Sequence, residues 1–213
     1  MIFLASTSPR RRHLLWKMNI PVRVVPTRYR ERPGRPGRPA ATAMRHARGK
    51  AEGAVVPRRA GLVLGVDTLI YFRKRIFGKP RSRAHAFRML KSFSGRSHDV
   101  YSAIALVDLK TRRTSVRWTK TRVTFNRLDD KTIGRYLARV NPLDKAGGYA
   151  IQHGQELIRD IRGSYTNVMG LPAELLKREL RKFNVTVAGE KRSKIMPRLR
   201  GRGPAWDFAR AFP

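Results

Sequence analysis

The feature that most constrains the fold is the long apolar segment Leu62–Phe72, which contains one carboxylate. Its length and composition predict a β-strand inside a sheet, and residues 73–75 favour a hairpin after it. Asp67, followed by Thr68, interrupts the apolar pattern. A carboxylate is costly to bury unless it meets a cation or a metal, or lies at the end of the strand. We therefore expect Asp67 to be a site residue; the alternative is a structural ion pair with an arginine.

Strand and helix patterns interleave along the rest of the chain and predict an α/β domain around a mixed β-sheet. Further strand patterns lie at residues 2–5, 22–25, 98–107, 115–125 and 157–161. Helical patterns lie at residues 9–18, 40–53, 82–93, 129–140 and 173–182. From about residue 189 the chain is basic and loses periodicity. We expect one domain over residues 1–188 and a basic C-terminal tail over residues 189–213.

The chain is strongly basic, because 48 lysine and arginine residues stand against 14 acidic ones and give a net charge of +34. Such a charge attracts polyanions, including nucleotides, nucleic acids and anionic lipids. Composition does not choose among these partners, and an excess spread along the whole chain also fits a generally arginine-rich composition. The absence of cysteine excludes disulfides and thiolate chemistry. No apolar run is long enough to cross a membrane.

The turn between the first strand and the first helix is a candidate phosphate site. Residues 5–11 read Ala-Ser-Thr-Ser-Pro-Arg-Arg, which places Ser8 at the helix N-cap. The first N–H groups of a helix attract anions, and Ser6 and Ser8 add hydroxyl groups. The guanidinium groups of Arg10 and Arg11 suit phosphate oxygens. The alternative is an ordinary capped helix with surface arginines.

Three charged residues elsewhere are candidates for the same site. Glu31 is alone in a basic loop and would share a metal ion with Asp67 if the two lie together; otherwise it is a solvated loop acid. Lys50 and Lys79 are point charges suited to phosphates, although each taken alone also fits a surface lysine.

A glycine-rich segment at residues 144–152 is the last candidate. Gly147 and Gly148 allow a ligand to approach the backbone closely. The amide of Gln152 offers a donor and an acceptor, as recognition of a nucleobase requires. The alternative is a glycine turn that leads into a strand.

Several common catalytic motifs are absent. Residues 73–80 do not form a phosphate-binding P-loop, because Arg73 replaces the first glycine and Pro80 replaces the serine or threonine. The chain has no Gly-x-Ser-x-Gly motif, and its five histidines show no metal-ligand spacing.

Six segments, taken together, resemble the Maf family of nucleoside triphosphate pyrophosphatases. In the order of that family they are residues 4–11, 65–68, 78–80, 94–101, 144–152 and 163–172. The resemblance covers residues 1 to about 183. It implies a two-lobed α/β fold, similar to inosine triphosphatases, with the active site in a cleft. It also implies hydrolysis of a nucleoside triphosphate to the monophosphate and pyrophosphate, with Mg²⁺ or Mn²⁺ as cofactor.

The resemblance implies a role for each candidate residue. Asp67 would accept a proton from the attacking water or bind the metal, and Glu31 matches the family's acid after the second strand. Phosphate binding is implied for Arg10, Arg11, Lys50 and Lys79. The positions that separate the dTTP/UTP-cleaving type from the 7-methyl-GTP type are matched by Arg10, Thr68 and Gln152, so this chain resembles the dTTP/UTP type.

The chain departs from the family at three positions where acids are usual, now Arg30, Asn141 and Ser164. Each change removes negative charge and so weakens the expected metal site. The family is cytoplasmic and often dimeric, which implies a cytoplasmic protein and a homodimer. The alternative function is a non-catalytic module on the same scaffold that binds nucleic acid or other polyanions through its basic surface.

Overall fold

A computed structural model of the chain describes residues 1–34, 37–57, 60–185 and 187. The strands are β1 Ile2–Ala5, β2 Val22–Val24, β3 Leu62–Phe72, β4 Arg75–Phe77, β5 Ser97–Asp108, β6 Thr114–Phe125 and β7 Ile158–Arg162. The helices are α1 Pro9–Lys17, α2 Pro39–Glu52, α3 Arg83–Phe93, α4 Asp130–Arg139, α5 Tyr165–Met169 and α6 Ala173–Arg181. The expected basic tail at residues 189–213 lies outside the described residues.

Within the described residues the strands form one seven-stranded mixed sheet in the order β2-β1-β3-β5-β6-β7, with β4 paired to β3. β1 is parallel to both β2 and β3. The pairs β3–β5, β5–β6 and β6–β7 are antiparallel. The expected α/β fold with a mixed sheet is therefore confirmed, and the hairpin after β3 is present.

Helices cover both faces of the sheet, and the long strand β3 contributes to every part of the core. Alternate side chains of a strand point to opposite faces. Leu62, Leu64 and Val66 pack with α1, α5 and α6. Val63 and Leu69 pack with the alanines of α2. Ile70 and Phe72 join a further core with α3 and α4. The described helices thus pack on β3 in three groups: α1 with α5 and α6, α2 alone, and α3 with α4.

The strand predicted over Leu62–Phe72 is confirmed with the same bounds. The carboxylate that interrupts its apolar pattern does not interrupt its pairing, since Asp67 pairs with Ala103 and Thr68 with Ser102 in unbroken register. Backbone pairing does not depend on side-chain polarity, so one well-paired carboxylate is tolerated. The short helix α5 was not expected, because five residues show too little periodicity. Among the described residues, no helix is long and apolar enough to span a bilayer.

Candidate active site

The site opens where β1 ends. Ala5, the last residue of β1, pairs with Gly65 of β3, and β3 continues past it. Asp67 and Thr68 therefore lie beside the turn formed by residues 6–8. In open α/β sheets, ligands bind in the crevice beyond the carboxyl ends of parallel strands. Successive side chains alternate, so Asp67 contacts α2 while Thr68 contacts α1 and the end of α5.

Helix α2 lies unusually close to β3. A Cβ atom on Gly65 would lie 2.1 Å from the carbonyl oxygen of Ala47, so only glycine fits there. The facing residues of α2 are the small, buried Ala43, Ala47 and Ala51. This close packing brings the next polar residue of the helix face, Lys50, onto the sheet.

Lys50 links two carboxylates. Its Nζ is 2.6 Å from Oδ1 of Asp67 and 2.6 Å from Oε1 of Glu31. The side chains of Lys50 and Asp67 are only 14% and 10% exposed. The ion pair considered for Asp67 is therefore present, but its partner is a lysine, and Lys50 is not a surface lysine.

The loop after β2 is attached to the C-terminal end of α2, which holds Glu31 above the site. The Thr27 hydroxyl donates to the carbonyl of Lys50 at 3.0 Å, and the Arg28 N–H donates to the carbonyl of Gly53 at 2.8 Å. Although 58% of the Glu31 side chain is exposed, its carboxylate is bound to Lys50, so it is not simply a solvated loop acid.

The charges around Glu31 favour its ionised form. Partial burial opposes ionisation, but the hydrogen bond and charge of Lys50, with smaller effects from His46 and Lys79, outweigh it and lower the pKa of Glu31. Lys79 is itself exposed and acts on Glu31 through its charge. Its neighbour Gly78 accepts a hydrogen bond from the N–H of Gly147 at 2.9 Å, which ties this bend to the glycine-rich segment.

His46 is the site residue that the sequence analysis missed. It precedes Lys50 by one helical turn, is 5% exposed, and its Nδ1 lies 4.0 Å from Oε2 of Glu31. One ligand atom from each of Glu31, His46 and Asp67 lies within 4.8 Å of the others. The i, i+4 spacing of His46 and Lys50 on an alanine-rich helix was the available signal.

Arg11 organises the other face of the site. Its Nη1 donates to the Ser6 hydroxyl at 2.9 Å, its Nε to the carbonyl of Gly170 at 2.9 Å, and its Nη2 to the Thr68 hydroxyl at 3.3 Å. Burial lowers the pKa of Arg11 to about 10, with the charge of Asp67 opposing that shift. Arg11 therefore remains a cation at neutral pH, held within the turn rather than on the surface.

Arg10 and Gln152 belong to a neighbouring group. The two terminal nitrogens of Arg10 donate to Oδ2 of Asp144 at 2.9 Å and to its carbonyl at 3.1 Å. Lys145 donates to Oδ1 of the same carboxylate at 2.5 Å. Lys145 also lines a depression with Asn141 and Gln152. The structure thus links the arginine turn to the glycine-rich segment through Asp144.

Ser8 occupies the N-cap position of α1, as expected, but its side chain makes no capping hydrogen bond. Its N–H instead contacts the hydroxyl of Ser6 at 3.4 Å. Ser8 therefore has the expected position, but its hydroxyl does not accept a hydrogen bond from the first N–H groups of α1.

One departure from the family pattern is offset in the structure. The Ser164 hydroxyl donates to Oε2 of Glu174 at 2.9 Å, and the Thr166 hydroxyl approaches the same oxygen at 3.3 Å. A carboxylate thus remains beside position 164 although the chain has serine there. Arg30 and Asn141 are exposed.

The fold is that of an α/β protein, and the candidate site gathers the cations Arg11 and Lys50 and the carboxylates Glu31 and Asp67 beside the end of β1. Residues 1–183 match the Maf family (Maf-like protein), and the chain belongs to that family. A dTTP/UTP pyrophosphatase of Bacillus anthracis (strain CDC 684 / NRRL 3495) is 38% identical over 187 residues, 87% of this chain and 97% of the relative. A dTTP/UTP pyrophosphatase of Bacillus cytotoxicus (strain DSM 22905 / CIP 110041 / 391-98 / NVH 391-98) is 40% identical over 182 residues, 85% and 94% of the two chains.

Among solved structures, the Staphylococcus aureus Ham1 protein aligns with a TM-score of 0.46 at 13% identity, covering 85% of this chain and 98% of that one. The relatives named as pyrophosphatases do not favour the alternative of a non-catalytic nucleic-acid-binding module.

Proposed function

We propose that this protein hydrolyses nucleoside triphosphates to the monophosphate and pyrophosphate. The observation that carries the proposal is the position of Asp67, a nearly buried carboxylate that pairs with the cation of Lys50 and lies near enough to Arg11 for the two charges to interact. The names of the relatives, which cover almost the whole Maf-like region, support the same reaction.

In the proposed reaction a water molecule attacks the α-phosphorus and pyrophosphate leaves. Asp67 accepts the proton of that water, since a carboxylate within hydrogen-bond reach of water serves as a general base. Arg11, Lys50 and Lys79 stabilise the negative charge that accumulates on the phosphates, and they do so best when their positions are fixed beforehand. Ser6 and Ser8 supply hydroxyl groups to the phosphate oxygens.

The donor atoms of the site fit a divalent cation. Glu31 and Asp67 provide carboxylate oxygens, which Mg²⁺ and Mn²⁺ both accept, and a ring nitrogen of His46 lies within reach. A bound cation would neutralise phosphate charge and polarise the phosphorus. Lys50 now holds both carboxylates together, so it must release at least one of them when the cation and the triphosphate bind.

The substrate class follows from the neighbouring group. We propose dTTP and UTP, because Arg10, Thr68 and Gln152 match the positions associated with that type. Gln152 provides an amide for the pyrimidine edge, and it lines the same depression as Lys145, whose partner Asp144 also binds Arg10.

The test is release of pyrophosphate from a panel of dTTP, UTP, CTP, GTP and 7-methyl-GTP, with Mg²⁺ or Mn²⁺. We expect dTTP and UTP to be cleaved fastest, and Asp67→Asn to lower kcat by about 10²–10⁴-fold, the range for loss of a general base. Asp130→Asn, an exposed acid of α4 that pairs with Lys91, is the matched control and should be fully active. Full activity of Asp67→Asn would contradict the assignment.

Three expectations remain proposals: action in the cytoplasm and a homodimer, both implied by the family, and nonspecific contact of the basic surface with nucleic acid or other polyanions. The net charge of +34 supports the last of these. The measurement is nucleic-acid binding against salt concentration, in which an electrostatic contact weakens steeply as salt rises.

A further inference from the structure

We propose that His46 contributes a nitrogen ligand to the divalent-cation site, and that this ligand makes the site prefer Mn²⁺ and Co²⁺ to Mg²⁺. The inference deepens the proposed function and rests on it for the presence of a cation. It concerns which ion the site selects, and it can be tested without any nucleotide.

The first observation is the direction of the His46 ring. Its Nδ1 lies 4.0 Å from Oε2 of Glu31, the carboxylate that also binds Lys50. One ligand atom from each of the three residues lies within 4.8 Å of the others, a spacing that one ion can bridge. The ring also packs against that of Tyr29, at 5.8 Å between ring centres and with the two planes nearly perpendicular.

The second observation is that this nitrogen is buried without a partner. His46 is 5% exposed, and among the described residues Nδ1 has no hydrogen-bond partner. A buried polar atom without a partner costs about 1–3 kcal/mol, and such atoms are rare in folded proteins. The neighbouring residues on this face of α2 are alanines, so packing alone would be served by an apolar side chain. A ligand bound to Nδ1 would explain why a polar nitrogen is buried at this position.

The third step is the chemistry of the donor set. Mg²⁺ prefers oxygen ligands and keeps several waters, so a nitrogen adds little to its binding. Imidazole binds later first-row metals better, and affinity rises from Mn²⁺ to Co²⁺ at a given site. Two carboxylates and one imidazole therefore favour Co²⁺ over Mn²⁺ and both over Mg²⁺.

The experiment measures metal binding to the full chain by calorimetry, without nucleotide, for Mg²⁺, Mn²⁺ and Co²⁺. His46→Leu should weaken Co²⁺ and Mn²⁺ binding by at least about 10-fold. Loss of a residue that merely supports a metal ligand lowers metal affinity by about 10–100-fold, and loss of the ligand itself should cost no less. Mg²⁺ binding should change by much less. His13→Leu, a histidine of α1 outside the site, is the matched control and should bind all three ions as the parent does.

Pulsed electron paramagnetic resonance of the Mn²⁺-loaded parent protein provides a readout that does not need a folded variant. We expect a nitrogen coupling from a directly bound imidazole, and its loss in His46→Leu. An unchanged ratio of Co²⁺ to Mg²⁺ affinity in a folded His46→Leu, or no nitrogen coupling in the parent, would overturn the proposal. If the parent protein binds Co²⁺ selectively but releases no pyrophosphate, the proposed function fails while this inference stands.

Discussion

Lys50 Nζ and Asp67 Oδ1 lie 2.6 Å apart, across the contact between α2 and β3. The same ammonium reaches Glu31, so a single cation holds together two carboxylates that would otherwise repel each other. The divalent cation of the proposed function would be held by the same two carboxylates. It would then compete with Lys50 for them, and that competition would have measurable consequences.

Replacing Lys50 by methionine should separate stability from metal binding. Without the ammonium, Asp67 and Glu31 lose their shared partner. We expect the free energy of unfolding of the metal-free protein to fall by about 3 kcal/mol, as when one partner of a buried ion pair is removed. Mn²⁺ should then raise the melting temperature more in Lys50→Met than in the parent, because no ammonium competes. The measurement is thermal unfolding in EDTA and in Mn²⁺.

Lys91→Met is the control for that experiment. Lys91 pairs with Asp130 on the surface, where both side chains are at least 60% exposed, so its loss should cost no more than about 1 kcal/mol. If Mn²⁺ raised the melting temperature of the parent and of Lys50→Met equally, the ion and Lys50 would not be competing for the same carboxylates.

Replacing Arg11 by lysine should reduce activity although the charge is kept. A guanidinium group satisfies Ser6, Thr68 and the carbonyl of Gly170 at the same time, and an ammonium group lacks that planar fork. We expect kcat/KM for dTTP to fall by at least about 10-fold, the equivalent of one lost charge-assisted hydrogen bond. Arg12→Lys, the exposed neighbour on α1, should leave kcat/KM unchanged; an equal loss in both variants would show a general charge effect.

Replacing Gly65 by alanine should separate α2 from β3. The new Cβ would lie 2.1 Å from the Ala47 carbonyl oxygen, which is backbone and cannot rotate away. We expect the free energy of unfolding to fall by about 3 kcal/mol, at the upper end for an overpacked core. Activity should also fall, because the displaced helix moves Lys50 away from Asp67. Urea unfolding measures the first effect and pyrophosphate release the second.

The matched variant for Gly65→Ala is Gly134→Ala. Gly134 lies within α4, and a Cβ there meets nothing within 4 Å. Alanine should stabilise that helix by about 0.5–1 kcal/mol. A protein that tolerates Gly65→Ala as well as Gly134→Ala would not have the close contact between helix and strand on which the site depends.

The pH dependence of stability should reflect His98. Burial lowers the pKa of His98 to about 3, and its Nε2 lies 2.7 Å from the Tyr149 hydroxyl within an aromatic cluster. Below its unfolded pKa near 6.5 the unfolded chain takes up a proton that the folded chain refuses. Stability is therefore fully present above pH 6.5 and is lost as pH falls, by about 1.4 kcal/mol per unit once the unfolded histidine is mostly protonated.

Urea unfolding of the parent and of His98→Gln, between pH 7 and pH 5, measures this slope. The variant should be less stable at pH 7 and lose less stability on acidification. His153→Gln, an exposed histidine, should keep the parent's slope. The same slope in all three proteins would mean that His98 is protonated in the folded state.

Local patterns were sufficient to predict most elements, because they depend on neighbouring residues. The N-caps at Ser82 and Asp129 accept the hydrogen bonds expected of them, from the N–H groups of His85 and Thr132. The long apolar run became β3, and the helices lie within a few residues of their predicted bounds. The helix α5, too short for a periodic pattern, was missed.

Long-range contacts were not predictable in the same way. Of the possibilities considered for Asp67, the structure shows a cation partner, Lys50, and not the end of its own strand, since Asp67 lies within β3 beside the end of the neighbouring strand β1. That position depends on strand order, which residue patterns do not contain. The contact between Arg10 and Asp144, separated by 134 positions, and the approach of His46 to Glu31 depend on the same tertiary arrangement.

The most direct test of the account is the fate of oxygen from water during turnover. dTTP is hydrolysed in ¹⁸O-labelled water, and the products are examined by ³¹P nuclear magnetic resonance. Water attack at the α-phosphorus predicts the label in dTMP and unlabelled pyrophosphate. Asp67→Asn should form labelled dTMP about 10²–10⁴-fold more slowly. Label in pyrophosphate, or release of labelled orthophosphate with dTDP, would contradict the account, because the site would then direct water to a different phosphorus.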